Sequence, residues 1–157
     1  MDGPLIPLAR GATGFWTNGG TPLPSVDVVA FRTACHAAAR SIRGRVARIS
    51  GPGTARSFHT ATITAAHGGG TVLCHGVLPA VAFTASPPRA GAPVTGFVRP
   101  PSWADPFAAA GFRLLEVAEL TAPLAPAHTG GLGEAERSQV RHWNPGTAGE
   151  LMFNWWD

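Results

Sequence analysis

The chain contains no lysine and no tyrosine, and only two cysteines, Cys35 and Cys74, among its 157 residues. Two cysteines make no disulfide framework, so burial must supply the stability; both thiols are expected to be free and buried unless they form a single bridge. Charged residues make up 13% of the chain, about half the ~25% of ordinary domains. A surface of neutral, small and apolar groups is the consequence, and such surfaces associate. The use of arginine in place of lysine follows from a GC-rich codon supply as readily as from bidentate phosphate recognition.

Long apolar runs are missing as well. The longest, Val77 to Ala85, is far short of the ~20 residues of a membrane span, and Met1 to Leu8 lacks the basic start and apolar core of a signal peptide. These absences predict a cytoplasmic protein without membrane association. The sequence holds no GxSxG, no P-loop and no GxGxxG placed between a strand and a helix, so nothing points to a serine hydrolase, a nucleotide hydrolase or a dinucleotide enzyme. Zinc at some of Cys35, His59, His67, Cys74 and His75 would require ligand spacings such as C-x₂-C, H-x₃-H or HExxH, and none occurs. No cofactor is expected.

What is present fits one domain, long enough to bury roughly 70% of its unfolded surface. Residues 1–24 are rich in glycine and proline without periodicity and read as an irregular arm with a turn at Asn18–Gly19. Residues 25–157 read as the folded domain. Ser25 is a candidate N-cap, followed by Val28, Phe31, Cys35, Ala38 and Ile42 at helical spacing, with Gly44 as the C-cap.

Strand patterns follow: Arg45–Ser50, a Gly51-Pro52-Gly53 turn, Arg56–Ala66, a Gly68–Gly70 turn and Thr71–Phe83, with Pro79 marking an edge or bulge. Val94–Val98 and Arg113–Leu120 add strand-like segments on either side of a short helix, Asp105–Ala110, that Gly111 stops. The last region predicts a helix over Glu134–Trp143 with acids in its first turn, a break at Asn144-Pro145-Gly146, and a final helix opened by a Thr147/Glu150 capping box and continuing through Asp157. No internal repeat in the ~20–50-residue range is visible. The expectation is an α+β fold: an N-terminal amphipathic helix on an antiparallel sheet of about four or five strands, closed by a C-terminal helical pair.

Charge is segregated along the chain. Residues 25–60 carry six arginines against Asp27, whereas residues 101–157 carry three arginines against seven acids. Either the two blocks face each other inside the fold, or the first leaves a basic patch for an anionic ligand. Arg32, His36, Arg40 and Arg43 fall within an arc of about 80° beside the apolar face of the first helix. They form the flank of an amphipathic helix or a binding stripe.

Three of the five tryptophans, Trp143, Trp155 and Trp156, lie in the last seventeen residues with Phe153 and Asn154. So much aromatic surface is buried either in the core or against a partner. For acid–base chemistry the candidates are His142 with Glu150 across the Asn144–Gly146 turn, and the strand histidines His59 and His75. The adjacent pairs Cys35-His36 and Cys74-His75 diverge on a helix or strand and form no dyad by themselves.

These features fit two functions. One is a non-enzymatic protein that binds an anionic small molecule or a protein partner through Arg32, His36, Arg40, Arg43, Trp143, Asn154, Trp155 and Trp156, as a homo-oligomer or a subunit. The other is a small cofactor-free enzyme with its pocket between helix and sheet, using His59, His75 or His142 with Glu150. The modest charge and the lack of RNP-like or zinc-finger signatures argue against nucleic acid as the partner.

Overall fold

A computed structural model describes residues 8–15, 22–53, 56–125 and 128–156. The Asn18–Gly19 turn, residues 1–7 and Asp157 lie outside the described residues. Helix α1 (Val28–Ser41) buries Phe31, Ala34, Cys35, Ala38 and Ala39, the apolar face that the helical spacing predicts. Its N-cap is Asp27 and not Ser25, because the Asp27 carboxylate accepts from the Ala30 N–H at 2.9 Å.

The helix ends in a Schellman turn. Gly44 N–H donates to the Ala39 carbonyl at 2.8 Å and Arg43 N–H to that of Arg40 at 3.1 Å. The left-handed residue is Arg43, at φ 53°, whereas the sequence pointed to Gly44. Gly44 is required for a different reason: a Cβ there would collide with the Thr64 carbonyl oxygen, where helix and sheet meet.

Strands β1 (Arg45–Ser50), β2 (Phe58–Thr64), β3 (Gly69–His75) and β4 (Ala80–Thr84) form an antiparallel meander in chain order. The far side of β4 is shared between β5 (Phe97–Val98), antiparallel, and β6 (Arg113–Leu114), parallel. The sheet is thus mixed, with six strands. The run from Thr71 to Phe83, expected as one strand, turns at residues 76–79 and pairs with itself, Cys74 opposite Val81. Pro79 stands in that turn, its carbonyl accepting from Arg113 N–H at 2.8 Å.

The strand expected over Arg113–Leu120 survives only as β6. Beyond it, Glu119 accepts from the Glu116 N–H at 3.1 Å and pairs with Arg113, so the chain closes into the helical turn α3 (Val117–Leu120). Helix α4 (Glu134–Trp143) has the expected bounds, and Asn144 ends it at φ 48°. Helix α5 (Ala148–Met152) is only five residues long, not the continuous helix to the terminus. Half of its capping box forms: Thr147 Oγ1 accepts from Glu150 N–H at 3.2 Å, but the Glu150 carboxylate takes Gly146 N–H at 2.9 Å.

The two-residue alternation of the strands makes two cores. Ala61, Ile63, Val72, Cys74, Val81 and Phe83 face α1, a 3₁₀ turn at Ser102–Ala104, and α2 (Asp105–Ala109). Phe58, Leu73, Ala80 and Ala82 face the other way, under Leu8, Ala12, α3 and α5, with Val140 of α4 at the margin. An α+β architecture of helices on both faces of the sheet results. Among the described residues no helix is long and apolar enough to cross a membrane.

Candidate functional site

The second core contains a polar clamp that draws together distant parts of the chain. Glu136, 1% exposed, accepts from Gly11 N–H at 2.7 Å, Thr13 N–H at 2.8 Å and the Thr13 hydroxyl at 2.6 Å. His75 holds the same loop from β3, with Nε2 2.7 Å from the Ala12 carbonyl. A carbonyl only accepts, so Nε2 carries the proton. The Nδ1 lone pair then accepts from Val77 and Leu78 N–H at 3.1 and 3.0 Å. Burial, partly offset by the Ala12 hydrogen bond and by Glu136, lowers the His75 pKa to about 4. Both ring nitrogens serve the main chain and leave no lone pair for a substrate proton.

Asn154 completes the clamp. Its side-chain amide donates to the Thr13 and Leu151 carbonyls at 3.0 and 2.8 Å, and its backbone N–H donates to Ser57 Oγ at 3.0 Å. At 2% exposure it is structural glue between the arm and the C-terminal segment. These bonds explain why α5 stops, since they peel residues 153–156 off the helix and lay them over the second core.

The arginine stripe has a different setting. Arg32, His36 and Arg40 are exposed along α1, Arg43 is exposed in the left-handed turn that ends it, and Arg45 and Arg48 are exposed on the adjoining edge strand β1. None of these arginines forms an ion pair or side-chain hydrogen bond among the described residues. Between Arg43 and Arg45 an open groove of about 370 Å³ is floored by Thr64, Ala65 and Ala66. A signal for this face stands in the sequence itself: no acid occurs between Asp27 and Asp105, while eight arginines do.

Positive charge is also felt inside this end of the sheet. His59, half-buried beside Phe31 with ring centroids 6.3 Å apart, is held below its ordinary pKa by burial, then by Arg56 and Arg32. Arg56 is lowered by burial and by Arg48, and its guanidinium is occupied by the Phe58, Ser50 and Gly51 carbonyls.

The aromatic C-terminus forms a third setting. Trp155 lies edge-on to Phe58 with centroids 5.5 Å apart, and the Arg56 guanidinium sits 5.3 Å from its ring. Trp143 and Trp156 are parallel within 2°, with centroids 6.1 Å apart. Together with Pro145, Glu150 and Phe153 these rings line a cleft of about 110 Å³. A second hollow, of about 370 Å³ and lined by Thr13, Phe15, Arg56 and Trp156, shares Asn154 and Trp156 with that cleft. Phe153 is wholly buried, Trp155 and Trp156 are half-buried, and Trp143 is 42% exposed.

Fold and sequence thus bring together Glu150, Trp143, Asn154, Trp155 and Trp156 but leave His142 out of that cleft. His142 is exposed and rests edge-on against Trp143, with centroids 5.1 Å apart. No hydrogen bond joins a histidine to a carboxylate among the described residues, nor do three His, Cys, Asp or Glu side chains gather as metal ligands there. Cys35 and Cys74 are free and buried; burial pushes the Cys35 thiol up to about 12 and raises Cys74 too, helped by Cys35 nearby. Such thiols are not poised nucleophiles. Among known proteins, no family model, no curated protein and no solved structure matches the chain.

Proposed function

We propose that this is a non-enzymatic binding protein whose α1–β1 arginine face receives an acidic protein surface. The observation that carries the reading is the absence of acids from residue 28 to residue 104, coupled with seven arginines (32, 40, 43, 45, 48, 89, 99) that stand exposed and unpaired among the described residues. Unneutralised charge of one sign over a helix and its neighbouring strand raises the local concentration of opposite charge and steers association.

A macromolecule suits this face better than a small anion. Arg32 and Arg40 stand about 12 Å apart along α1 by the 1.5 Å helical rise, and Arg43 follows in the left-handed turn beyond it, so these guanidinium groups are spread along the face and do not converge on one point. Val29, 74% exposed, lies on the same face and adds an apolar contact. A protein partner is favoured over nucleic acid because the described residues of α1 and β1 expose no tryptophan, tyrosine or phenylalanine on which bases could stack, and His36 is the only aromatic ring among their exposed side chains.

Anisotropy titrations with labelled poly-L-glutamate and with a duplex DNA oligonucleotide test this reading. Poly-glutamate is expected to bind and to weaken as salt rises, and the double variant Arg40→Glu/Arg43→Glu is expected to lose binding while keeping its melting temperature. Tighter binding to the duplex would move the partner to the nucleic-acid class. Unaltered poly-glutamate affinity in the double variant would overturn the assignment of the face.

A further inference from the structure

We infer that the cleft between α4 and the C-terminal segment is a binding site for an organic cation, of the alkylammonium class. This inference concerns a different surface from the arginine face and does not depend on it. Three indoles, Trp143, Trp155 and Trp156, line the cleft beside Phe153, and Glu150 is its one charged side chain. The faces of indole rings carry negative potential, and tryptophan is the best aromatic partner for a cation. With a carboxylate as the sole formal charge among its lining side chains, the cleft offers a cation both indole rings and a counter-ion. No arginine or histidine lines it, and among the described residues no cation is paired with Glu150.

The carboxylate is also held in place. Glu150 Oε2 accepts from the Gly146 N–H at 2.9 Å, while the side-chain hydroxyl of Thr147 ties the Glu150 backbone at 3.2 Å. Trp143 is steadied in turn by its own Nε1–H, which donates to Gln139 Oε1 at 3.1 Å, and by Trp156 lying parallel to it. Trp155, one of the three, already holds a cation within the chain, the Arg56 guanidinium at 5.3 Å from its ring centroid.

The cleft, of about 110 Å³, several times the ~30 Å³ share of one water, has room for a methylated ammonium head group. The rest of such a ligand would extend past Trp143, the exposed wall.

The test is a titration of the full chain with choline and, separately, with its neutral tert-butyl isostere, followed through the indole N–H signals in a ¹H–¹⁵N spectrum. Choline is expected to shift the Trp143 and Trp156 signals saturably, and the isostere to bind about ten-fold more weakly or less. Glu150→Gln, which keeps an acceptor for Gly146, is expected to weaken choline about ten-fold without unfolding the protein. Trp143→Leu, at an exposed position, should abolish the response, while Arg40→Glu/Arg43→Glu should leave it intact even if that variant loses poly-glutamate. Equal binding of the isostere would show a merely apolar slot and overturn the cation assignment. Absence of a saturable shift with choline and with tetramethylammonium alike would overturn the site.

Discussion

Under α1 the sheet buries Phe31, Cys35, Ile63, Val72, Phe83 and Phe107 with no charged group among them, whereas the opposite face buries Glu136, His75, Asn154 and Ser57 beside Phe58 and Phe153. The first core is stabilised by transfer of apolar surface and close packing, terms that do not respond to pH. The second depends on Glu136, His75 and Asn154 keeping their partners, because a buried donor or acceptor left alone costs more than a hydrogen bond returns. The contrast follows from connectivity. The first core is built from α1, the strands and α2, which are regular elements that satisfy their own backbones. The second must accommodate an irregular arm and an irregular C-terminal segment, whose free N–H and C=O groups need side chains to meet them.

That contrast can be broken most forcefully at the C-terminus. Deleting Phe153–Asp157 removes the wholly buried Phe153 together with the Asn154 ties to Thr13 and Ser57. The expected result is a molten or unfolded product with no near-UV dichroism; a cooperative melt would place these residues outside the core. Next in size is Glu136→Ala, which strands the Gly11 and Thr13 donors. A loss on the order of 3–5 kcal/mol is expected in urea unfolding, with the arm becoming the first site of proteolysis. An equal loss with an uncut arm would mean that Glu136 does not hold it.

Acid should separate the two cores as well. The folded pKa of His75 is lowered to about 4 from 6.5, so the unfolded chain binds more protons between those values. Its contribution is therefore fully present above about pH 6.5 and is lost as pH falls towards 4, by up to ~3 kcal/mol. Melting temperatures of the native protein and of His75→Gln between pH 7 and pH 4 measure this; an equal acid slope in both would remove His75 as the cause.

Smaller effects sharpen the comparison. Thr71, 1% exposed, alternates with Leu73 on the second face, and its hydroxyl has no hydrogen-bond partner among the described residues. Thr71→Val keeps the shape and removes the polar atom, for an expected gain of about 1–2 kcal/mol. The smallest change is expected at the surface: Arg43→Gly relieves a left-handed residue at φ 53° and should raise stability by up to about 1 kcal/mol. A drop in the urea midpoint for either variant would contradict its assignment.

Much of the first core was legible in the sequence. Phe31, Cys35 and Ala38 repeat at the helical period, and Ile63, Val72 and Phe83 sit in β-branched or aromatic runs bounded by glycines, so local preference and burial agree. Arg32, His36 and Arg40 were legible as one stripe for the same reason, since a helix period fixes which side chains share a face; Arg43 was not, because the helix has ended before it. In the second core local preference misled. Leu151 to Trp156 reads as a continuing helix because nothing nearby forbids one, yet a hydrogen bond from Asn154 to the carbonyl of Thr13, distant in sequence, ends it. Glu150 and Glu136 looked alike as helix-opening acids, but one lines a cleft and the other is sealed under the arm.

By itself, the sequence determined the α+β class, the amphipathic helix, most of the meander and the segregation of charge, because each rests on periodicity or composition within a short window. Only the tertiary structure decided that His75 is neutral and committed to main-chain groups, that Asn154 and Glu136 pin the arm, and that three tryptophans meet Glu150 in one cleft. Those outcomes depend on contacts between residues far apart in the chain, and the free energy of a buried polar group is set by the partner it meets, which no local pattern encodes.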